Sequence, residues 1–172
     1  MKCIARKTLL VICGIFSTMA IAGTTTKISD VHLCCSSCQE AVENAVGTVN
    51  GAIVKVNRDE KTVILSADDD DVVVAQQALD AIAQAGFYGN SDNATIAIKT
   101  ATTKGNVAKA KLKGFHNCCG SCSNSIENSL SPIKGVTKVS INKSTCNVEG
   151  DFDVLAALKA VNKAGFSSVI TK

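Results

Sequence analysis

The chain has 172 residues, 18 Lys+Arg against 15 Asp+Glu and a formal charge of +3, which suits one domain or two small ones. With aromatics at only 3%, neither the charge nor the ring content argues for a nucleic-acid binder, which needs a basic surface and stacking platforms. Nine cysteines, one proline and no tryptophan direct attention to sulfur chemistry instead.

The chain opens with Lys2, Arg6 and Lys7, then an apolar run from Leu9 to Phe16, then Ala20 and Ala22 in an Ala-x-Ala pattern. A basic start, a short apolar stretch and small residues before Gly23 predict a secretory signal over 1–22 that is cleaved. A membrane anchor needs about 20 apolar residues, and this run is shorter, so no stable membrane insertion is expected. Cleavage leaves 15 basic and 15 acidic residues and places the mature chain outside the cytoplasm, in a periplasm or secreted.

Lys27 to Leu33 reads as a strand, and a loop with three cysteines follows. Cys38, Val42 and Val46 recur at steps of four, one face of a helix. "AIVKVN" and "TVILSA" flank "RDEK" and predict a β-hairpin. Asp68 to Asp71 suit the start of a second helix, whose positive end attracts carboxylates. Their spacing lacks the glycine and distal glutamate of a calcium loop. Ala75, Leu79, Ile82 and Ala83 stripe that helix, Gly86 ends it, and a last strand is expected from Phe87 to about Ile98.

The pattern then repeats. "VHLCCSSCQEAVENAV" (31–46) and "FHNCCGSCSNSIENSL" (115–130) share His, Cys-Cys and a third cysteine at a constant offset of 84 residues. "AKAKLKGF" alternates as a strand, Cys122, Ile126 and Leu130 mark a helical face, and "KVSIN" with "TCNVEG" forms a second hairpin. Val154, Leu158 and Val161 stripe the next helix, and "KAGF" matches "QAGF". The polar residues 99–106 read as a linker between domains at 26–98 and 107–172. Each unit is expected to be β-α-β-β-α-β, an α+β fold of two ferredoxin-like sandwiches in tandem.

A strand running into a CxxC loop and a helix, Gly135-Val136 before the next strand, and Ala-Gly-Phe after the second helix resemble heavy-metal-associated domains. Such domains occur in copper chaperones, metal-pumping ATPases and periplasmic mercury-binding proteins, and "KAGFSSVITK" looks most like the last group. The resemblance implies that Cys35 and Cys38, and again Cys119 and Cys122, are the main metal thiolates. It also implies a metal transporter or acceptor as partner. The family's usual Gly-Met-Thr before CxxC is replaced by His32-Leu33-Cys34 and His116-Asn117-Cys118. Leu33 can fill the buried place of the methionine, whereas an unpaired buried Asn117 would cost about 1–3 kcal/mol.

The departures enlarge the possible ligand set. Cys34 and Cys118 each add a sulfur, and His32 and His116 each offer an imidazole. HxCCxxC would suit tetrahedral zinc or a trigonal thiolate site better than linear Cu(I). Soft thiolates select Cu(I) and Zn(II), and by the same argument Hg(II) and Cd(II). Cys146 reads as a buried free cysteine packing as a small hydrophobe. Phe87 and Phe166 match a position near the metal loop, and Tyr88 has no counterpart.

The expected function is a non-catalytic carrier holding one soft ion per loop. A thiol-disulfide oxidoreductase is the alternative, but the chain lacks the tryptophan of such sites, and Pro132 lies after a helix, away from the loop. A third reading makes the cysteines structural disulfides. Finally, residues 23–98 carry 4 basic and 11 acidic groups (formal −7), while 99–172 carry 11 basic and 4 acidic (formal +7). A short tether keeps the halves at an effective concentration of order millimolar. Opposite charge is therefore expected to favour docking with the cysteine loops face to face.

Overall fold

The computed structural model describes residues 24–67, 71–100, 102 and 104–171. The predicted signal at 1–22 lies outside them, as do Asp68, Asp69 and Asp70. The first unit runs β1 (Thr24–Ser29), α1 (Ser36–Val46), β2 (Ala52–Asn57), β3 (Thr62–Ala67), α2 (Val72–Gln84) and β4 (Asn90–Ser91). The second runs β5 (Asn106–Lys113), α3 (Gly120–Leu130), β6 (Val136–Asn142), β7 (Thr145–Asp153), α4 (Val154–Lys163) and β8 (Val169–Thr171). Their sheets are ordered β2-β3-β1-β4 and β6-β7-β5-β8, with antiparallel pairing throughout. Both units thus have the β-α-β-β-α-β order expected of a ferredoxin-like sandwich. Among the described residues no helix is long and apolar enough to cross a membrane.

The helices pack by the stripes read from the sequence. Helix α1 buries Cys38, Val42 and Val46, and α3 buries Cys122, Ile126 and Leu130. Helix α2 buries Ala75, Leu79 and Ile82 as expected, with Ala78 in place of the half-buried Ala83. Asp71 is its N-cap, accepting from the backbone N–H of Val73 (2.8 Å) and Val74 (3.2 Å). Such a cap contributes about 1 kcal/mol by satisfying donors the first turn leaves orphaned. Asp153 does the same for α4 through Leu155.

Two boundaries differ from the sequence reading. The first strand ends at Ser29, because Asp30 turns left-handed at φ 63°, and Val31 to Cys34 cross as loop. The last strand of the first unit shrinks from Phe87–Ile98 to Asn90–Ser91. Asn93 Oδ1 accepts from the N–H and the hydroxyl of Thr95, an Asx turn that competes with a ladder. Beyond it, the Gln76 side chain pairs with both the N–H and the carbonyl of Ala97, substituting for a neighbouring strand.

Asn117, awkward on paper, is satisfied. Its amide donates to the Lys143 carbonyl at 2.7 Å and accepts from Ser123 Oγ at 3.0 Å, while the neighbouring Phe115 fills the core. Cys146 is fully buried opposite Leu112 and Ile141, as a small hydrophobe would be.

The two units dock through a reciprocal contact. Phe87 and Phe166 form an antiparallel bridge, in which Tyr88 N–H donates to Gly165 O and Ser167 N–H donates to Gly86 O, each at 3.0 Å. His116 N–H also donates to Gly86 O (3.2 Å), and His32 N–H to Gly165 O (3.4 Å). Gly86 and Gly165 take φ of 92° and 90°, and a Cβ on either would overlap the other unit's backbone. Only glycine permits this approach.

Docking was expected from opposite charge, and the contact is built differently. Among the described residues both ion pairs, Lys109–Glu149 and Lys138–Glu149, lie within the second unit and are solvent-exposed. Backbone hydrogen bonds, rings and sulfurs hold the face, and none of these is weakened by salt as exposed charge pairs are.

Candidate metal centre

Each cysteine loop ends at a helix N-terminus. Cys35 and Cys119 are the N-caps of α1 and α3, with nearly identical extended backbones (φ −155°, ψ 174° and φ −156°, ψ 172°). Cys38 and Cys122 sit one turn inside and are fully buried. The CxxC spacing brings the paired sulfurs to 3.8 Å in the first loop and 3.9 Å in the second. A helix N-terminus favours negative charge, which promotes thiolate there.

Because the loops face each other, the six sulfurs form one group. Cys34 Sγ lies 3.6 Å from each of Cys38, Cys119 and Cys122. Cys118 Sγ lies 3.5 Å from Cys35, 3.7 Å from Cys38 and 3.8 Å from Cys122. All seven cysteines of the described residues are free thiols. An open groove of about 550 Å³ reaches Cys34 from solvent, lined from the first unit by Asp30 and Lys61 and from the second by Ser125 and Asn128.

The thiols differ in acidity. The Cys38 backbone N–H, then the Cys118 thiol, stabilise the Cys35 thiolate and lower its pKa to about 6. The Cys122 backbone N–H, then Cys34, lower Cys119 in the same way. Desolvation, and then contact with the neighbouring sulfurs, push Cys34 and Cys118 above the usual thiol range. Burial also raises Cys38, and raises Cys146 to about 11. In the reduced, metal-free protein, iodoacetamide at pH 7 is therefore expected to modify Cys35 and Cys119 first, well before the buried Cys146. The Cys35 rate should reach half its plateau near pH 6. Peptide mass spectrometry over a time course reads the order, and a Cys146 as fast as Cys35 would contradict the burial described here.

The histidines take a role the sequence did not suggest. His32 stacks on Phe166 (ring centroids 4.3 Å apart), and His116 stacks on Phe87 (4.5 Å). Each ring therefore packs on the phenylalanine of the other unit. Burial lowers both pKa values, with Lys61 adding to the effect at His32, and favours the neutral ring. The Nε2 atoms are buried without a hydrogen-bond partner. His32 still has a ring nitrogen within 4.8 Å of Cys34 and Cys122 Sγ, whereas His116 falls in no such group among the described residues. Tyr88 and Ser167 contribute backbone N–H groups to the contact, which is why their side chains need not match.

The remaining three-ligand groups are Cys34–Cys35–Cys119, Cys35–Cys38–Cys118 and Cys118–Cys119–Cys122. Two of them draw on both units, a feature that spacing within either repeat could not reveal.

No curated protein matches the chain. Among solved structures, the solution structure of the N-terminal soluble domains of Bacillus subtilis CopA is similar at 19% identity. It covers 89% of this chain and 97% of that one, with a TM-score of 0.32. The water-soluble region of the P-type ATPase CopA from Bacillus subtilis is similar at 18% identity over 89% of this chain and 94% of that one, also with a TM-score of 0.32. Residues 118–167, from the cysteine loop of the second unit through Phe166, match the heavy-metal-associated domain, which supports heavy-metal binding by this segment.

Proposed function

We propose that the protein is an exported, non-catalytic carrier of soft metal ions such as Cu(I), Hg(II), Zn(II) or Cd(II). The observation that carries this reading is the convergence of six free thiols at two helix N-termini. The first unit (26–98) is read as a second heavy-metal-associated domain on its matching cysteine loop and element order. Cys35, Cys38, Cys119 and Cys122 are the principal ligands, and each loop supplies the pair for one ion.

Transfer proceeds by ligand exchange. A thiolate of the acceptor, a metal transporter or another carrier, adds to the ion as one thiolate of this chain leaves, so the ion is never released free. The exposed Cys34 and Cys118 are the natural points of entry and exit. The signal at 1–22 would deliver the carrier to a periplasm or to the exterior, where acceptor and ion are met.

Anaerobic native mass spectrometry of the reduced protein, under competition among Cu(I), Zn(II) and Hg(II), tests the reading. Two tightly held ions per chain are expected, and none after disulfide formation. A reduced chain that retains no ion, yet reduces insulin disulfides, would establish the oxidoreductase alternative.

A further inference from the structure

We propose that the extra cysteine of each loop completes the other loop's site. Cys34 joins Cys119 and Cys122, Cys118 joins Cys35 and Cys38, and two three-sulfur sites straddle the contact between the units. The proposal rests on the metal-binding reading above and assigns the ligands within it.

Two observations support the exchange. The first is distance. The trio Cys34, Cys119 and Cys122 has edges of 3.6, 3.6 and 3.9 Å, and Cys118, Cys35 and Cys38 has edges of 3.5, 3.7 and 3.8 Å. A Zn–S bond is about 2.3 Å, so three sulfurs around a trigonal zinc ion stand about 4.0 Å apart. Both triangles are a few tenths of an ångström smaller than that, and each would open further around the larger Cd(II) or Hg(II). Cys118 is closer to both sulfurs of the opposite pair than to Cys122 of its own loop.

The second is reach across the contact. Cys35 Sγ is nearer Cys118 of the other loop (3.5 Å) than Cys38 of its own (3.8 Å), and Cys119 Sγ is nearer Cys34 (3.6 Å) than Cys122 (3.9 Å). Cys34 Sγ is as close to Cys38 as to the opposite pair, 3.6 Å in each case.

Charge, the same for either assignment of the third sulfur, bears on the choice of ion. Six thiolates with two divalent ions leave a net −2, shared between two helix N-termini that favour negative charge. Two monovalent ions would leave −4. The paired trios thus select a soft divalent ion that accepts three thiolates, such as Hg(II) or Cd(II), over Cu(I). Each ion then links the units, so loading and docking reinforce each other.

Two variants of the full chain separate the possibilities, each carrying Cys3→Ser and Cys13→Ser so that those thiols cannot compete. In one, Cys35→Ser, Cys38→Ser and Cys118→Ser leave the cross-unit trio. In the other, Cys118→Ser, Cys119→Ser and Cys122→Ser leave the three cysteines of a single loop. One equivalent of Cd(II) is added and the sulfur count is read by X-ray absorption, with affinity by competition against a chelator. The cross-unit trio is expected to give three Cd–S bonds and at least tenfold tighter binding, and the single loop two Cd–S bonds. Where serine at the buried Cys38 or Cys122 impairs folding, alanine there supports the same comparison. Three sulfurs in the single loop, or equal affinities in the two variants, would overturn the exchange while leaving metal binding intact. An unsubstituted chain that binds no Cd(II), Hg(II) or Cu(I) would instead remove the carrier reading itself.

Discussion

Replacing Cys35, Cys38, Cys119 and Cys122 together with serine is expected to weaken thiophilic-ion binding on the order of a thousandfold, about 4 kcal/mol at 1.4 kcal/mol per decade. Both helix-terminal pairs vanish, and Cys34 and Cys118 alone cannot enclose an ion. Restoring either pair should return one ion per chain, counted by native mass spectrometry. Serine places a hydroxyl at the buried Cys38 and Cys122 positions, so far-UV circular dichroism checks that the fold survives, with alanine there as the second variant. A quadruple variant that still holds two ions tightly would mean that these four cysteines are not the ligands.

Gly86→Ala with Gly165→Ala is expected to separate the units while leaving each folded. Alanine at these φ values costs about 1–2 kcal/mol per site from the backbone alone. The added Cβ also meets backbone of the other unit: Gly114 and His116 from Gly86, Asp30 and His32 from Gly165. Backbone cannot rotate away as a side chain would, so the contact opens. Opening a compact chain into two tethered units raises its radius of gyration, a change measurable by small-angle scattering. An unchanged radius would show that the contact tolerates a Cβ and is looser than described. Raising salt to 1 M in the parent should not produce the same rise, because among the described residues neither ion pair crosses the face.

Much of the fold was legible because each unit is locally consistent. Steps of four at Cys38, Val42 and Val46 mark a helix face, and "AIVKVN" and "TVILSA" on either side of the short polar "RDEK" mark a hairpin. The reading failed where side chains compete with the backbone. Asn93 turns a promising strand into an Asx turn, and Gln76 then supplies a substitute ladder from a helix; neither event follows from periodicity. For the candidate site, the repeat marked all six loop cysteines and both histidines. It could not show that the histidines would stack on phenylalanines, since their partners lie 134 and 29 positions away along the chain. The glycines of "QAGF" and "KAGF" were read only as helix stops. Their second use, admitting a foreign backbone, depends on what lies opposite.

The reciprocal contact has the form of a two-fold dimer interface confined to one polypeptide. In a true homodimer every substitution appears twice and its cost is doubled. Here each position occurs once, so either half can drift without dragging its counterpart along. Leu33 can stay apolar while Asn117 builds a hydrogen-bonded loop, and Lys61 can press on His32 with no equivalent beside His116. The acidic and basic halves are the same freedom on a larger scale. A symmetric dimer of either half would meet its own like charge across the axis; the fused pair does not. Covalent linkage has turned an interface bound to mirror itself into one whose two sides can specialise.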